Sequence, residues 1–226
     1  MNSTLDDLIE PEIKDDEFSA VISQLASENS IKTFLEIGSS TGDGSTKALV
    51  ESIKKRSDIN MVALYCLEVS IPRFQQLLSK YSHLPFFFGY NMSSISLSEF
   101  PEEDEVIAFY QLIESNLRRY SLSDVLAWRY QDIEYLKNKK IVDDGINAIK
   151  KLASVKSFDF VLIDGSEFTG ERELNQVIGS KFIALDDVLC FKCFNAYQRL
   201  KGHAGYVLLH ENMSCRNGFA VFGRRY

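Results

Sequence analysis

The segment Phe34-Leu-Glu-Ile-Gly-Ser-Ser-Thr-Gly-Asp-Gly-Ser-Thr46 passes from an apolar run into a glycine-rich turn and then into residues that open a helix. A strand that is apolar on both faces belongs inside a parallel sheet, and a glycine turn between such a strand and a helix turns backbone amides toward a ligand. Gly38, Gly42 and Gly44 follow Glu36 in the order Glu-x-Gly-x-x-x-Gly-x-Gly. A dinucleotide site uses Gly-x-Gly-x-x-Gly, and starting that pattern at Gly42 puts Lys47 where its third glycine belongs. The turn is therefore expected to hold a ligand that lacks a diphosphate.

The rest of the chain repeats the same alternation. Strands are predicted at Thr33 to Ile37, Met61 to Leu67, Leu84 to Phe88, Phe158 to Ile163 and Lys181 to Leu185, with helices between them. Such alternation predicts an α/β fold, a doubly wound and mostly parallel sheet with helices on both faces. Gly205 to His210 and Asn217 to Phe222 are joined by a polar turn and should pair antiparallel. The chain reads as a single domain over 1–226. Residues 1–30 form an acidic arm or first helix, with Phe18, Val21, Ile22 and Leu25 at helical spacing. Residues 101–152 are a helical insertion between strands three and four, with Val106, Tyr110, Ile113 and Leu117 on one face and Leu122, Leu126, Ile133 and Leu136 on another.

With 226 residues and 45% hydrophobic content, a chain of this size buries roughly 70% of its unfolded surface and needs no covalent staples. A net charge of -7 argues against a protein that grips phosphate backbones, so nucleic acid is not an expected partner. No signal-peptide core and no run of membrane-spanning length is visible, which predicts a cytoplasmic protein with no membrane partner. Four scattered cysteines predict reduced thiols. Cys190-Phe-Lys-Cys193 lacks the second pair of a zinc ribbon. His83, His203 and His210 lie in no motif.

Ligands of open parallel sheets bind beyond the carboxyl ends of the strands, so the residues that follow each strand carry the functional reading. Glu68, with Val69 beside it, follows the second strand and suits a ribose diol, whose hydroxyls a carboxylate accepts as a pair; a helix cap is the plainer alternative. Glu36 to Gly44, Glu68, Asp164 and Asp186-Asp187 together resemble the motifs of class I S-adenosylmethionine-dependent methyltransferases, from Thr33 onward. The resemblance implies a seven-stranded sheet whose last strand is antiparallel and S-adenosylmethionine as methyl donor. It implies cofactor contacts from Glu36, Gly38, Ser39, Ser40, Thr41, Gly42, Gly44, Ser45, Glu68 and Val69, and from Asn91 by its position after the third strand.

Phe158-Asp-Phe-Val-Leu-Ile-Asp-Gly-Ser-Glu-Phe-Thr-Gly170 and Ala184-Leu-Asp-Asp-Val188 are similar to paired motifs of the metal-dependent O-methyltransferases. That similarity implies a divalent cation, magnesium by ligand type, held by Asp164, Asp186 and Asp187. The alternative is that Asp164 and Asp187 only cap the turn and helix that follow them. Relatives carry Lys or His three residues after the strand-four aspartate; here that position is Glu167. Asp164 and Glu167 are the catalytic candidates, Glu167 as a general base whose pKa burial must raise. The insertion's Tyr110, Arg118, Arg119, Tyr120, Trp128, Arg129, Tyr130 and Tyr135 form a possible lid over the acceptor or, alternatively, core and dimer contacts. The expected activity is O-methylation of a small or carbohydrate-like hydroxyl acceptor, with homo-oligomerisation possible. The alternatives are a metal-independent methyltransferase on nitrogen or carbon, and a non-catalytic binding module on the same fold.

Overall fold

The computed structural model describes residues 5–225. Seven strands, β1 (Thr33–Ile37), β2 (Ala63–Leu67), β3 (Phe87–Tyr90), β4 (Phe160–Ile163), β5 (Phe182–Asp186), β6 (Tyr206–Asn212) and β7 (Phe219–Arg224), form one sheet in the order β3-β2-β1-β4-β5-β7-β6. The first five pair in parallel, and β7 runs antiparallel to both β5 and β6. This is the expected mostly parallel sheet with an antiparallel last strand.

Alternation along the central strands sends side chains to two separate cores. Leu35 and Ile37 of β1 and Val161 and Ile163 of β4 face one of them; Phe34, Phe160 and Leu162 face the other. On the second face lie α1 (Glu17–Ala26), α2 (Ser45–Ile53) and α3 (Ile71–Tyr81), which contribute Phe18, Ile22, Leu49, Ile53 and Leu77. On the first lie α4 (Glu103–Leu112), α5 (Leu122–Lys139), α6 (Gly145–Ala153), α7 (Gly170–Val177) and α8 (Phe191–Gly202). The central strands are thus covered on both sides, as a parallel sheet requires.

Several strand boundaries shift from expectation by one to three residues, and two of these shifts have clear local reasons. The third strand begins at Phe87 rather than Leu84, because Leu84 N–H closes the end of α3 on Tyr81 O at 2.9 Å and Pro85 has no N–H to give a ladder. It then continues through Gly89 and Tyr90, which pair with Cys66 and Leu67. The second strand starts at Ala63, since Met61 sits in a preceding turn and is 66% exposed.

The insertion is helical as expected, with α4 ending at Leu112 and Leu117 buried in a separate short turn. In α5 the deepest positions are Val125 and Leu136, with Leu126 and Ile133 packed beside them. The stretch preceding α1 is not loose. Tyr135 Oη donates to Asp6 at 2.6 Å, Lys139 pairs with Asp6 at 3.2 Å and Arg73 Nε donates to Asp7 O at 2.8 Å, which pins this stretch to α5 and α3. Among the described residues, no helix is long and apolar enough to cross a membrane.

Candidate active site

A cavity of about 390 Å³ opens beyond the carboxyl ends of β1, β2, β4 and β5, where the strand order reverses. That is the position at which open α/β sheets bind ligands. The lining follows strand order: Glu68 after β2, Gly38 and Ser40 after β1, Asp164 and Glu167 after β4, and Asp187 after β5. Its upper walls come from the arm, through Ile9, Pro11 and Glu12, and from the insertion, through Arg119, Tyr120, Trp128 and Asp132. Of the insertion residues expected as a lid, Arg119, Tyr120 and Trp128 line the cavity, whereas Tyr110, Arg118, Arg129, Tyr130 and Tyr135 do not. Tyr120 and Trp128 meet edge to face at 4.8 Å, an arrangement that presents an aromatic surface to a ring-bearing guest.

The glycine turn is built from inside the sheet. Glu36 is fully buried and accepts hydrogen bonds from Ser45 Oγ and Thr46 Oγ1, both at 2.6 Å, and from Cys66 Sγ at 3.2 Å. It ties the start of α2 to β1 and lies away from the cavity. Gly38 has φ +86°, and a Cβ there would stand 2.0 Å from Asp164 O. Glycine is what lets the two central strands end side by side at the reversal point. Thr41, Gly42 and Gly44 form the tip of the turn, which packs against α3 and the arm; Lys80 Nζ donates to Thr41 O and Tyr81 Oη to Gly42 O, each at 2.8 Å. Of the loop residues expected to touch a cofactor, Gly38 and Ser40 line the cavity; Ser39, Thr41, Gly42, Gly44 and Ser45 shape the turn behind them.

Glu68 is 5% exposed, and its two oxygens accept from Ser40 N–H and Ser70 N–H, each at 2.7 Å. Each carboxylate oxygen has a second lone pair, so Glu68 keeps acceptor capacity toward the cavity. Asn91 lies behind it: its Nδ2 donates to Glu68 O at 2.8 Å and Val69 O at 2.9 Å, fixing the segment that carries both residues. Val69 lines the cavity and Asn91 does not.

The opposite end is organised by a residue that the sequence reading passed over. Lys192, on the first turn of α8, places Nζ 2.9 Å from Asp164 Oδ1 and 2.6 Å from Asp187 Oδ2. Its backbone N–H donates to Glu167 at 3.3 Å. The approach depends on Gly170, where a Cβ would lie 2.0 Å from Lys192 O. Asp187 also accepts from Asn217 Nδ2 at 3.1 Å, and Asn217 Oδ1 accepts from Asn116 at 3.0 Å. A hydrogen-bonded row thus runs from the insertion through Asp187 and Lys192 to Asp164.

The three aspartates expected to hold a metal do not share one centre. Asp186 is fully buried and bonded to Arg216 Nη2 at 2.7 Å, while Asp164 and Asp187 are bonded to the Lys192 ammonium. Among the described residues, the acidic group with oxygens within 4.8 Å of one another is Glu12, Asp186 and Asp187, which leaves out Asp164. A divalent cation would have to displace both an ammonium and a guanidinium that already neutralise these carboxylates. As arranged, the residues do not fit one.

Burial pushes the Asp164 carboxyl up to about 7 against the pull of Lys192, and burial likewise raises Glu167 to about 7. At Asp187 burial also pushes upward, but Lys192 and Asn217 outweigh it and hold the acid below its ordinary value. Burial alone would lower the Lys192 pKa; Asp164 and Asp187 instead raise it well above that of an ordinary lysine. The cluster therefore contains a fixed cation, a fixed anion and two carboxyls that exchange protons near neutrality. Asp132, which accepts from Ser166 Oγ at 2.5 Å, is raised to about 6 by burial and was also missed.

A signal for Lys192 was present: a cation in the first turn of a helix opposes the helix dipole, and such a residue is stable there when carboxylates face it. Asp132 and the arm carried no comparable signal, since long-range folding alone brings them to the cavity.

No protein-family model matches the sequence, and no curated protein matches it significantly. Solved structures do match in fold. An O-methyltransferase from Bacillus cereus in complex with S-adenosylhomocysteine superposes with TM-score 0.57 at 12% identity, covering 96% of this chain and 84% of that one. A putative caffeoyl-CoA O-methyltransferase from Staphylococcus aureus gives 0.55 at 13% identity over 94% of this chain and 85% of that one. The O-methyltransferase TomG from Streptomyces achromogenes, in complex with S-adenosylmethionine, gives 0.51 at 11% identity over 94% and 91%. With its strand order, its antiparallel last strand and its cavity at the reversal point, this chain has the fold of the class I S-adenosylmethionine-dependent methyltransferases.

Proposed function

We propose that the protein is an S-adenosylmethionine-dependent O-methyltransferase acting on a small hydroxyl-bearing acceptor. The observation that carries this reading is the layout of the cavity, in which Glu68 and the buried group of Asp164, Glu167 and Lys192 open onto one space at the reversal point. Four adjacent strand ends span roughly 14 Å, room for an adenosyl group at one side and an acceptor at the other. The S-adenosylhomocysteine and S-adenosylmethionine complexes of the fold neighbours support the same assignment.

In this reading Glu68 accepts the ribose hydroxyls and the amides of the Gly38 turn border the donor. S-Adenosylmethionine supplies an electrophilic methyl group. The protein aligns the acceptor oxygen with that methyl, excludes water and takes the hydroxyl proton on a carboxylate. Glu167 is the base, since its position at the cavity and its raised pKa suit proton transfer near neutral pH. The magnesium anticipated from the sequence takes no step here, because the carboxylates meant for it are already neutralised from within. Tyr120 and Trp128 supply an apolar wall for a ring-bearing or sugar-like acceptor.

Calorimetric titration with S-adenosylhomocysteine tests the assignment. The wild-type protein should bind it, and Glu68→Ala should weaken binding about 10- to 100-fold, as expected for a lost hydrogen bond to a charged group. No binding by the wild type would remove the methyltransferase reading; equal binding by both would take Glu68 out of the cofactor site.

Glu167 gives a pH test. A base with its pKa near 7 is inactive when protonated, so turnover should rise with pH through about 7. Glu167→Gln should abolish that limb and lower the rate by about 100-fold or more. A limb that survives in this variant would assign the base to Asp164.

A further inference from the structure

Lysine at a site where related motifs hold a metal is more than a filler. The Lys192 side chain is 10% exposed, lines the cavity and is gripped by Asp164 and Asp187, which follow β4 and β5. An ammonium has three donors. Two are taken by these carboxylates, which leaves one for the cavity. Two further features hold the arrangement in place: Gly170 lets α7 close directly on the backbone of Lys192, and Asn217 fixes Asp187 from the other side.

We propose that Lys192 is a built-in replacement for the metal ion, a catalytic residue whose remaining N–H binds and orients the acceptor oxygen while Asp164 and Asp187 fix the ammonium. The assignment of a role in catalysis rests on the methyltransferase reading above; the exclusion of a metal does not. In the transfer step the acceptor O–H bond breaks and its proton goes to the Glu167 carboxylate. The oxygen lone pair forms the O–CH3 bond. The methyl–sulfur bond breaks with its electron pair retained on sulfur, so the sulfonium becomes a neutral thioether. Lys192 stays protonated throughout and stabilises the negative charge that grows on the acceptor oxygen, as an oriented donor in a water-poor site does. Its advantage over a metal ion is that the site is complete on folding and independent of metal supply. Its consequence is that the carboxylate pair becomes a latent cation site, exposed only when the lysine is removed.

The test uses Mn2+ alone as the probe, followed by electron paramagnetic resonance, with S-adenosylhomocysteine affinity measured in parallel on the full chain. Wild-type protein and Lys192→Arg should leave millimolar Mn2+ free, whereas Lys192→Gln should take up one equivalent that Asp187→Asn then removes. S-Adenosylhomocysteine affinity should change less than about twofold across the series, because Lys192 lies at the acceptor end. Tight Mn2+ binding by the wild type would overturn the proposal, as would a folded Lys192→Gln protein that takes up none. Should Lys192→Gln fail to fold, the wild-type and Lys192→Arg measurements still decide whether a metal competes with the native cation. Failure of S-adenosylhomocysteine to bind, with the Mn2+ pattern as expected, would remove the methyltransferase reading and leave the lysine's exclusion of metal standing.

Discussion

Gly38→Ala is expected to destabilise the protein by about 3 kcal/mol or more and to abolish binding of S-adenosylhomocysteine. Two effects combine at this position. The residue has φ +86°, where a side chain is strained, and a Cβ would sit 2.0 Å from Asp164 O, 2.6 Å from its carbonyl carbon and 2.9 Å from Gly165 Cα. All three are backbone atoms at the end of β4, which is hydrogen-bonded to β1 on one side and β5 on the other. Relief by rotating a side chain is not available, so one of the central strands must shift. Gly179→Ala separates the two effects. Gly179 has φ +100° but nothing within 4 Å of its Cβ position, so alanine there should cost about 1 kcal/mol from backbone strain alone. Urea denaturation of both variants measures the difference, and equal losses would show that the close approach of β1 to β4 does not limit this fold.

The same close approach explains why so much of the architecture could be read from the chain. Strands β1, β4 and β5 are buried on both faces and are written as unbroken apolar runs, with Phe34 to Ile37 interrupted by Glu36 alone. Glu36 looked like a ligand-binding acid because it precedes the glycines; its actual work is to bind the hydroxyls of Ser45 and Thr46. Sequence gives the order of such residues and not the direction their side chains take. Leu84 to Phe86 are apolar enough for a strand, but Pro85 and the closing turn of α3 postpone the ladder to Phe87.

The site was legible in proportion to how local it is. Gly38, Ser40, Glu68, Asp164, Glu167 and Asp187 all follow strand ends within a few residues, and all line the cavity. Lys192 lies inside Cys190-Phe-Lys-Cys193, a tetrapeptide whose spacing points to its sulfurs rather than to the lysine. Both of those cysteines are buried free thiols, and the lysine between them carries the contacts to the carboxylates. Three aspartates suggested a metal because like charges need neutralising. That premise holds; the neutralising groups are Lys192 and Arg216, contributed by α8 and by the turn before β7, which no local pattern links to the strand ends.

Lys192→Met should destabilise the fold by about 3–5 kcal/mol at pH 8, because it strands two buried carboxylates without their cation. The cost should shrink as the pH falls. Asp164 already has its folded pKa raised to about 7, mainly by burial, and losing the ammonium raises it further. A carboxyl whose folded pKa exceeds its unfolded value favours folding when protonated and loses that advantage as the pH rises through the folded value, so the penalty is greatest in alkali. Adding Asp164→Asn and Asp187→Asn to Lys192→Met removes the stranded charges and should restore most of the loss, since a buried charged group replaced as a unit is often close to neutral for stability. Urea denaturation of the single and triple variants at pH 5.5 and pH 8, values chosen on either side of about 7, reads both effects. If the triple variant is as stable as the wild type yet transfers no methyl group, the charged row is retained for its chemistry rather than for the fold. A single variant with unchanged stability at both pH values would mean that Asp164 and Asp187 find water or another cation as readily as they find Lys192.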